Sequence, residues 1–332
     1  MKIFSGQSNL PLATLVCQNL GLEIGKVELK TFPSGEKHCR YDENIRGTDT
    51  FIFQSGNHPT NDNLMELLVM VDAAKRASAK RITAVMPYGF YTRQDRKDKS
   101  RVPISAKLVM DMLQISGVNR ILTMDLHSPQ IVGFTNLPVD QLGFKPALIN
   151  AVKDIGIDAI VAPDIGAVKR ADEYATALGT DLVIISKNRK TATSVELKHF
   201  IGDVKGKKVL IADDLSESAG TLIEAAVACR ERDASEVYCA ITHGCFTEIG
   251  YDRFCDAFKS KLISHLFVST TVNACRNRRS QWDYTEIGIH PITGRWHKDW
   301  NSDEQVTYVD VSPLFAYAIK SIHDNESVSK LF

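Results

Sequence analysis

Residues 207–229, KKVLIADDLSESAGTLIEAAVAC, decide how this chain folds. The uninterrupted apolar run Val209 to Ala212 predicts a central parallel strand, and Leu222 to Cys229 predicts a helix that returns over the sheet. Between them lie two carboxylates and a short polar turn. Ser216 or Ser218 is suited to cap the helix, while Gly220 and Thr221 leave room for backbone N–H groups to approach an anion. Asp213 and Asp214 offer acceptors for the vicinal hydroxyls of a sugar. The junction therefore reads as a sugar-phosphate cradle. The plainer alternative is an acidic strand-to-helix connection that only caps a helix.

The 332 residues exceed what one core usually holds, so two domains are expected, with a boundary near residues 144–146. The 40 basic residues balance the 40 acidic ones, which gives no electrostatic argument for a nucleic-acid or membrane partner. Any anionic substrate must be met by local clusters. The seven cysteines, at 17, 39, 229, 239, 245, 255 and 275, make no Cys-x-x-Cys pair and no zinc spacing, which points to a reducing compartment. The N-terminus reads poorly as a signal peptide and no stretch approaches a bilayer span, so a cytoplasmic location is expected.

Leu10 to Leu20 has helical spacing closed by Gly21, and Ser105 to Ser116 is a second helix closed by Gly117. Asp62 to Ala79 is a third, with Asn61 or Asp62 as its cap. Pro33, Ser34 and Gly35 form a turn that presents Glu36. From Pro87 to Leu108, PYGFYTRQDRKDKSRVPISAKL combines aromatic residues with Arg93, Arg96, Lys97, Lys99 and Arg101. Polyphosphate needs several cations held together and a purine needs a flat apolar surface, so this mixture suits ATP. A strand over Arg120 to Met124 delivers Asp125 and His127. An acid and a histidine there suit Mg²⁺ or phosphate, with a buried, hydrogen-bonded histidine as the alternative. Strands ending at Pro87 and Pro163 each cross a loop to an arginine, a weak internal repeat of two α/β units. In the second, Asp164 projects from the strand end and Gly166 permits close approach to an anion beside Lys169 and Arg170. Lys187, Arg189 and Lys190 leave the sheet in a polar loop suited to bring cations over a transferring group. All three tryptophans, Trp282, Trp296 and Trp300, fall between Val272 and Val306. That aromatic insertion suits an oligomer interface or a nucleotide base.

Together these stretches resemble the ribose-phosphate diphosphokinase family. NDNLMELL at 61–68, TRQDRKDKSRVPISAKL at 92–108, MDLHSPQI at 124–131 and ESVSKLF at 326–332 carry the resemblance. It implies an α/β fold of two tandem phosphoribosyltransferase-type (Rossmann-like) domains with mainly parallel sheets. These are an ATP-binding domain over 1–145 and a ribose-phosphate-binding domain over 146–332, whose last helix is free to pack back on the first. It implies that Phe32, Glu36, Arg93, Gln94, Asp95 and Arg96 bind ATP. His127 and Asp164 would organise Mg²⁺, with Lys187, Arg189 and His127 serving catalysis. Asp213 and Asp214 would hold the ribose hydroxyls, and Ser216, Glu217, Ser218, Ala219, Gly220 and Thr221 would wrap the 5′-phosphate. Homodimers that build hexamers are also implied.

The resemblance has departures. Glu217 and Ser218 stand where the family usually has Asp and Thr, Ala167 follows Gly166 where it has paired glycines, and Ser34 replaces a common acidic or amide residue. With the aromatic insertion, these departures motivate a second reading, in which the acceptor is a larger 5′-substituted ribose such as ADP-ribose. A noncatalytic homologue and a phosphoribosyltransferase are the remaining alternatives. The ATP-like cluster favours a kinase over the last.

Overall fold

The computed structural model describes residues 1–189, 195–273 and 305–329, without the side chains of residues 187–198. Contacts divide the chain into two units, one of Met1–Gly143, Thr270–Arg276 and Val311–Phe332, the other of Phe144–Ser269 and Asn277–Asp310. The tryptophan segment lies almost wholly outside the described residues.

The first unit is built on a five-stranded parallel sheet in the order β1 (Lys2–Ser5), β4 (Asp49–Phe53), β5 (Arg81–Met86), β6 (Arg120–Met124), β7 (Val139–Leu142). Helices α1 (Leu10–Leu20), α2 (Thr60–Arg76) and α3 (Ser105–Ser116) pack on it. A separate antiparallel hairpin is formed by β2 (Val27–Thr31) and β3 (Lys37–Tyr41). Phe4, Ile52, Leu67, Met70, Leu113 and Ile121 lie in its core. Helices α1 and α3 end where Gly21 and Gly117 adopt positive φ, a conformation that suits glycine at a helix C-terminus. Helix α2 departs from expectation. It starts at Thr60, Pro59 occupies the cap with no side-chain bond, and Asn61 and Asp62 serve other partners.

The second unit has a seven-stranded sheet. In order along it are β10 (Val195–Ile201), β9 (Asp181–Arg189), β8 (Ala159–Ala162), β11 (Lys208–Ser216), β12 (Glu236–Gly244), β13 (His265–Ser269) and β14 (Val306–Val309). All pairs are parallel except β9 with β10. Its helices are α4 (Lys145–Val152), α5 (Val168–Leu178), α6 (Gly220–Arg230) and α7 (Glu248–Lys259). The chain leaves β8 toward β9 on one side and leaves β11 toward β12 on the other. The strand order therefore reverses between β8 and β11, and at such a switch point the strand-end loops part and leave a crevice. Helix α4 packs with α5, and α6 packs with α7. The final helix, α8 (Ser312–Asp324), belongs to the first unit and packs on α1.

The fold class is thus α/β with mainly parallel sheets. Four of these elements were not read from the sequence: β3, β7, α7 and β10. Two junctions differ from expectation. Strand β9 runs through Lys187 to Arg189 and pairs with β10, Lys187 opposite Leu197 and Arg189 opposite Val195, where a loop was expected from Lys187 onward. Strand β11 continues past its apolar run to Ser216, which pairs with Gly244 of β12. Ser216 is thereby committed to the sheet, and Ala219 at φ 59° occupies the N-cap of α6 without a side-chain bond. Neither Ser216 nor Ser218 caps the helix.

Among the described residues no helix is long and apolar enough to cross a membrane, and the six described cysteines are free. Phe254 on α7 is fully buried, with ring centroids 5.3 Å from Phe246 and 6.1 Å from Phe258. Phe254→Ala is expected to cost about 3–5 kcal/mol in urea unfolding of the second unit. Ile249→Ser, at a 60 % exposed position one turn earlier, is expected to change it by less than about 0.5 kcal/mol.

Candidate active site

In the second unit, Asp213 and Asp214 stand at the carboxyl end of β11, beside the switch point. Arg170, in the first turn of α5, places one guanidinium nitrogen 3.3 Å from Asp214 and 3.7 Å from Asp213. Both carboxylates are nearly closed off from solvent, with side-chain exposures of 13 % for Asp213 and 9 % for Asp214. Burial pushes the Asp213 carboxyl up to about 8, the adjacent Asp214 charge adds to this, and Arg170 opposes it. The charge of Asp164, at the end of β8, acts in the same upward direction. Asp164 accepts the Ala167 N–H at 3.1 Å, which curls the β8–α5 loop around the carboxylate. Gly166 fits because a Cβ there would sit 3.2 Å from the same oxygen.

The loop from Glu217 to Ala219 follows the carboxylates and leads into α6 at Gly220 and Thr221. Glu217 and Ser218 are exposed and Ala219 is buried. The first turn of α6 carries no acid, so its N–H groups present a net positive end. An anion is well matched to that end, and the carboxylates beside it are matched to hydroxyl donors. The sequence reading missed α7, whose N-terminal residues touch this loop. The Thr247 N–H donates to the Glu217 carbonyl at 2.9 Å, and Arg253 donates to the Ser218 carbonyl at 2.9 Å. A signal was present in the helical spacing of Tyr251, Phe254 and Phe258.

In the first unit, the β2–β3 turn brings Phe32 and Glu36 together, with the Phe32 N–H donating to the Glu36 carbonyl at 2.9 Å. Phe32 is 47 % exposed, and the Ser34 hydroxyl donates to the Glu36 carboxylate at 2.8 Å. The loop between β5 and α3 is braced from several sides. The Ser105 hydroxyl bonds the Gln94 side chain, the Gln94 carbonyl accepts from the Ala106 N–H at 3.1 Å, and Gln130 donates to Asp95 at 3.1 Å. Tyr91 and Arg101 hold positive φ, at 54° and 65°, which for such residues marks a conformation imposed by the surroundings. Arg93, Arg96, Lys97, Lys99 and Arg101 remain exposed on this frame. The first turn of α2 touches both pieces, through Asn61 to the Tyr91 hydroxyl and through Asp62 to Lys37 of the hairpin at 3.8 Å. Within this unit Gln94 and Asp95 hold the loop, and the arginines face outward. His127 is exposed just after β6. Lys187 and Arg189 lie in the backbone of β9, with side chains outside the described residues.

Among the described residues no three His, Cys, Asp or Glu side chains are grouped to hold a metal ion. Mg²⁺ needs no such cage, since it usually keeps several waters and binds through one or two carboxylates plus substrate phosphates. The hard oxygens of Asp164 suit it.

The family model for the N-terminal domain of ribose phosphate pyrophosphokinase matches residues 1–117, and that for the phosphoribosyl transferase domain matches residues 147–270. The ribose-phosphate pyrophosphokinase of Caldanaerobacter subterraneus subsp. tengcongensis is 42 % identical over 335 residues, covering 100 % of this chain and 98 % of that protein. The protein of the same name from Chlorobaculum tepidum is 43 % identical and covers 100 % of this chain and 95 % of its own length. The crystal structure of phosphoribosylpyrophosphate synthetase from Mycobacterium smegmatis superposes with a TM-score of 0.83 at 33 % identity. It covers 98 % of this chain and 99 % of that one.

The aspartate pair makes a stability prediction with a definite sign. Between the unfolded value near 4 and the folded value of about 8, the folded pair holds a proton that the unfolded chain has lost. The native protein therefore loses stability from this source as pH rises through that window. Asp213→Asn removes the effect, so its melting temperature minus that of the native protein should increase from about pH 5 to about pH 8.5. A difference constant with pH would refute the raised carboxyl.

Proposed function

Because the chain belongs to the ribose-phosphate pyrophosphokinase family, we propose that it moves the β,γ-diphosphoryl group of ATP onto the anomeric hydroxyl of ribose 5-phosphate. The anomeric oxygen attacks the β-phosphorus, the bond from that phosphorus to the α-phosphate oxygen breaks, and AMP leaves. The hydroxyl proton is released. The observation that carries this reading is the junction at the switch point, where twin carboxylates are followed at once by the N-terminus of α6. One part suits the hydroxyls of a ribose and the other suits its phosphate.

Asp213 and Asp214 accept from the ribose hydroxyls, and Arg170 holds the pair toward its charged form. The segment from Ser216 through Glu217, Ser218 and Ala219 to Gly220 and Thr221 receives the 5′-phosphate. Phe32 supplies a flat surface for adenine, Glu36 accepts hydrogen bonds, and Arg93 and Arg96 meet the polyphosphate, with Gln94 and Asp95 keeping their loop in shape. Lys187 and Arg189 neutralise charge that builds on the transferring group. Their ordinary basicity suits that role rather than that of a general base. Asp164 in the second unit would hold Mg²⁺, His127 in the first would serve the same role there, and the metal would supply charge neutralisation to the phosphates. By the same resemblance the protein works in the cytoplasm as a homodimer or homohexamer. The ADP-ribose reading has no support from the relatives' names, and the tryptophan segment that motivated it lies almost wholly outside the described residues.

AMP release should depend on Mg²⁺ and on ribose 5-phosphate, and ADP-ribose should not replace that acceptor. Lys187→Ala is expected to lower kcat by about 10²–10³-fold, with ribose 5-phosphate binding changed less than about threefold. Turnover near the native rate in that variant would remove Lys187 from its role. Failure of the native protein to form AMP would remove the reaction itself.

A further inference from the structure

The phosphate loop, from Asp213 to Thr221, contains no lysine or arginine. A cradle of that kind must bind a phosphoryl group through backbone N–H groups, and those groups must face the same way before the ligand arrives. The carbonyls show how the loop is turned. The Glu217 carbonyl accepts from the Thr247 N–H at 2.9 Å and from the Thr247 hydroxyl at 3.2 Å. The Ser218 carbonyl accepts from Arg253 at 2.9 Å. In a planar trans peptide the C=O and the next N–H point in opposite directions. With both carbonyls tied to α7, the N–H groups of Ser218 and Ala219 point away from α7.

Two further features match this arrangement. Gly250 of α7 lies so close to the loop that a Cβ built on it would be 2.1 Å from the Glu217 carbonyl oxygen, a backbone atom that cannot step aside. Arg253 lies over the start of α6, with a guanidinium nitrogen 3.3 Å from where a Cβ on Gly220 would be. A cation at the positive end of a helix is unfavourable by itself, and a bound dianion relieves that cost.

We propose that the first two turns of α7, through Thr247, Gly250 and Arg253, are the positioning device for the 5′-phosphate cradle. Arg253 is the positioning residue whose removal is felt by the phosphorylated acceptor and not by ATP. The proposal rests on the reading of the 213–221 junction as a ribose-phosphate site. It adds a residue on a separate helix, 32 positions beyond the end of that loop, that no reading of the loop itself supplies.

The test compares native protein, Arg253→Ala, Arg253→Lys and Thr247→Ala in steady-state kinetics with Mg²⁺. Circular dichroism and melting curves would establish that each variant is folded. Arg253→Ala should raise KM for ribose 5-phosphate by about 10- to 100-fold and leave KM for ATP within about twofold. Arg253→Lys should recover part of the loss, because it restores charge and a donor without the planar fork. Thr247→Ala should shift the same constant by less, since the Thr247 N–H still holds the Glu217 carbonyl. The discrimination between ribose 5-phosphate and unphosphorylated ribose should narrow in Arg253→Ala. An unchanged KM for ribose 5-phosphate, or an equal rise for ATP, in a folded variant would overturn the proposal. If the native protein does not use ribose 5-phosphate at all, the family reading fails, and that result is distinct from an active protein indifferent to Arg253.

Discussion

Two adjacent carboxylates at the end of a buried strand set the terms for the second unit. Like charges brought together out of water raise each other's proton affinity, and burial raises it further. Arg170 faces both Asp213 and Asp214 and offsets part of that cost. It reaches them because the strand order reverses between β8 and β11, which sets the start of α5 beside the end of β11. A conventional hairpin connection would not bring those residues together. The residual mismatch favours a ligand rich in neutral donors. Sugar hydroxyls can satisfy both carboxylates without adding charge, whereas another cation would close the site as an internal salt bridge.

On the proposed reading, the first unit meets a different problem by different means. Polyphosphate binding needs exposed cations, yet long flexible side chains lose entropy when they are ordered. The loop before α3 reduces that cost by fixing its backbone. Gln94 is tied to α3, Asp95 to the turn after His127, and Tyr91 to the start of α2. Gln94 and Asp95 thus serve as braces between Arg93 and Arg96. A second polar network supports the same unit from inside, where Glu66 accepts from Gln54 at 2.8 Å and from the Gln7 N–H at 2.7 Å. The Asn9 and Ser55 side chains hold the carbonyls of Thr270 and Thr271, which anchors the returning segment.

Strands β6 and β8 and helices α1 and α3 follow the sequence expectation because their local signals agree. Apolar period, length and a closing glycine all point one way at Gly21 and Gly117. Expectation failed where tertiary partners took over a residue with a strong local preference. Ser216 is a good cap by chemistry, but its pairing with Gly244 keeps it in the sheet. Asn61 and Asp62 are likewise drawn to Tyr91 and Lys37. The short strand β3 is mostly polar and half-exposed, so its pattern is weak. The carboxylates, cations and glycines that mark each candidate site were legible in the sequence. The support from α7 was not, because backbone carbonyls carry no residue-specific signal and Gly250 looks like any helix glycine.

That hidden support bears on why the phosphate loop lacks cations. A lysine or arginine within residues 215–221 would be a second cation close in sequence to Asp213 and Asp214, which already face Arg170, and would compete to pair with them. The phosphate would then have to break an ion pair in order to bind, and the carboxylates would lose their readiness for hydroxyls. Placing the guanidinium on α7, behind the Ser218 carbonyl, separates the two functions. The backbone lies between Arg253 and the N–H groups it orients, so the arginine shapes the cradle from outside it. Arg170, which does face the carboxylates, comes from the other side of the switch point. On the proposed reading, the positive charge that serves the sugar and the one that serves its phosphate are thereby carried by different helices, and neither belongs to the loop between Asp214 and Gly220.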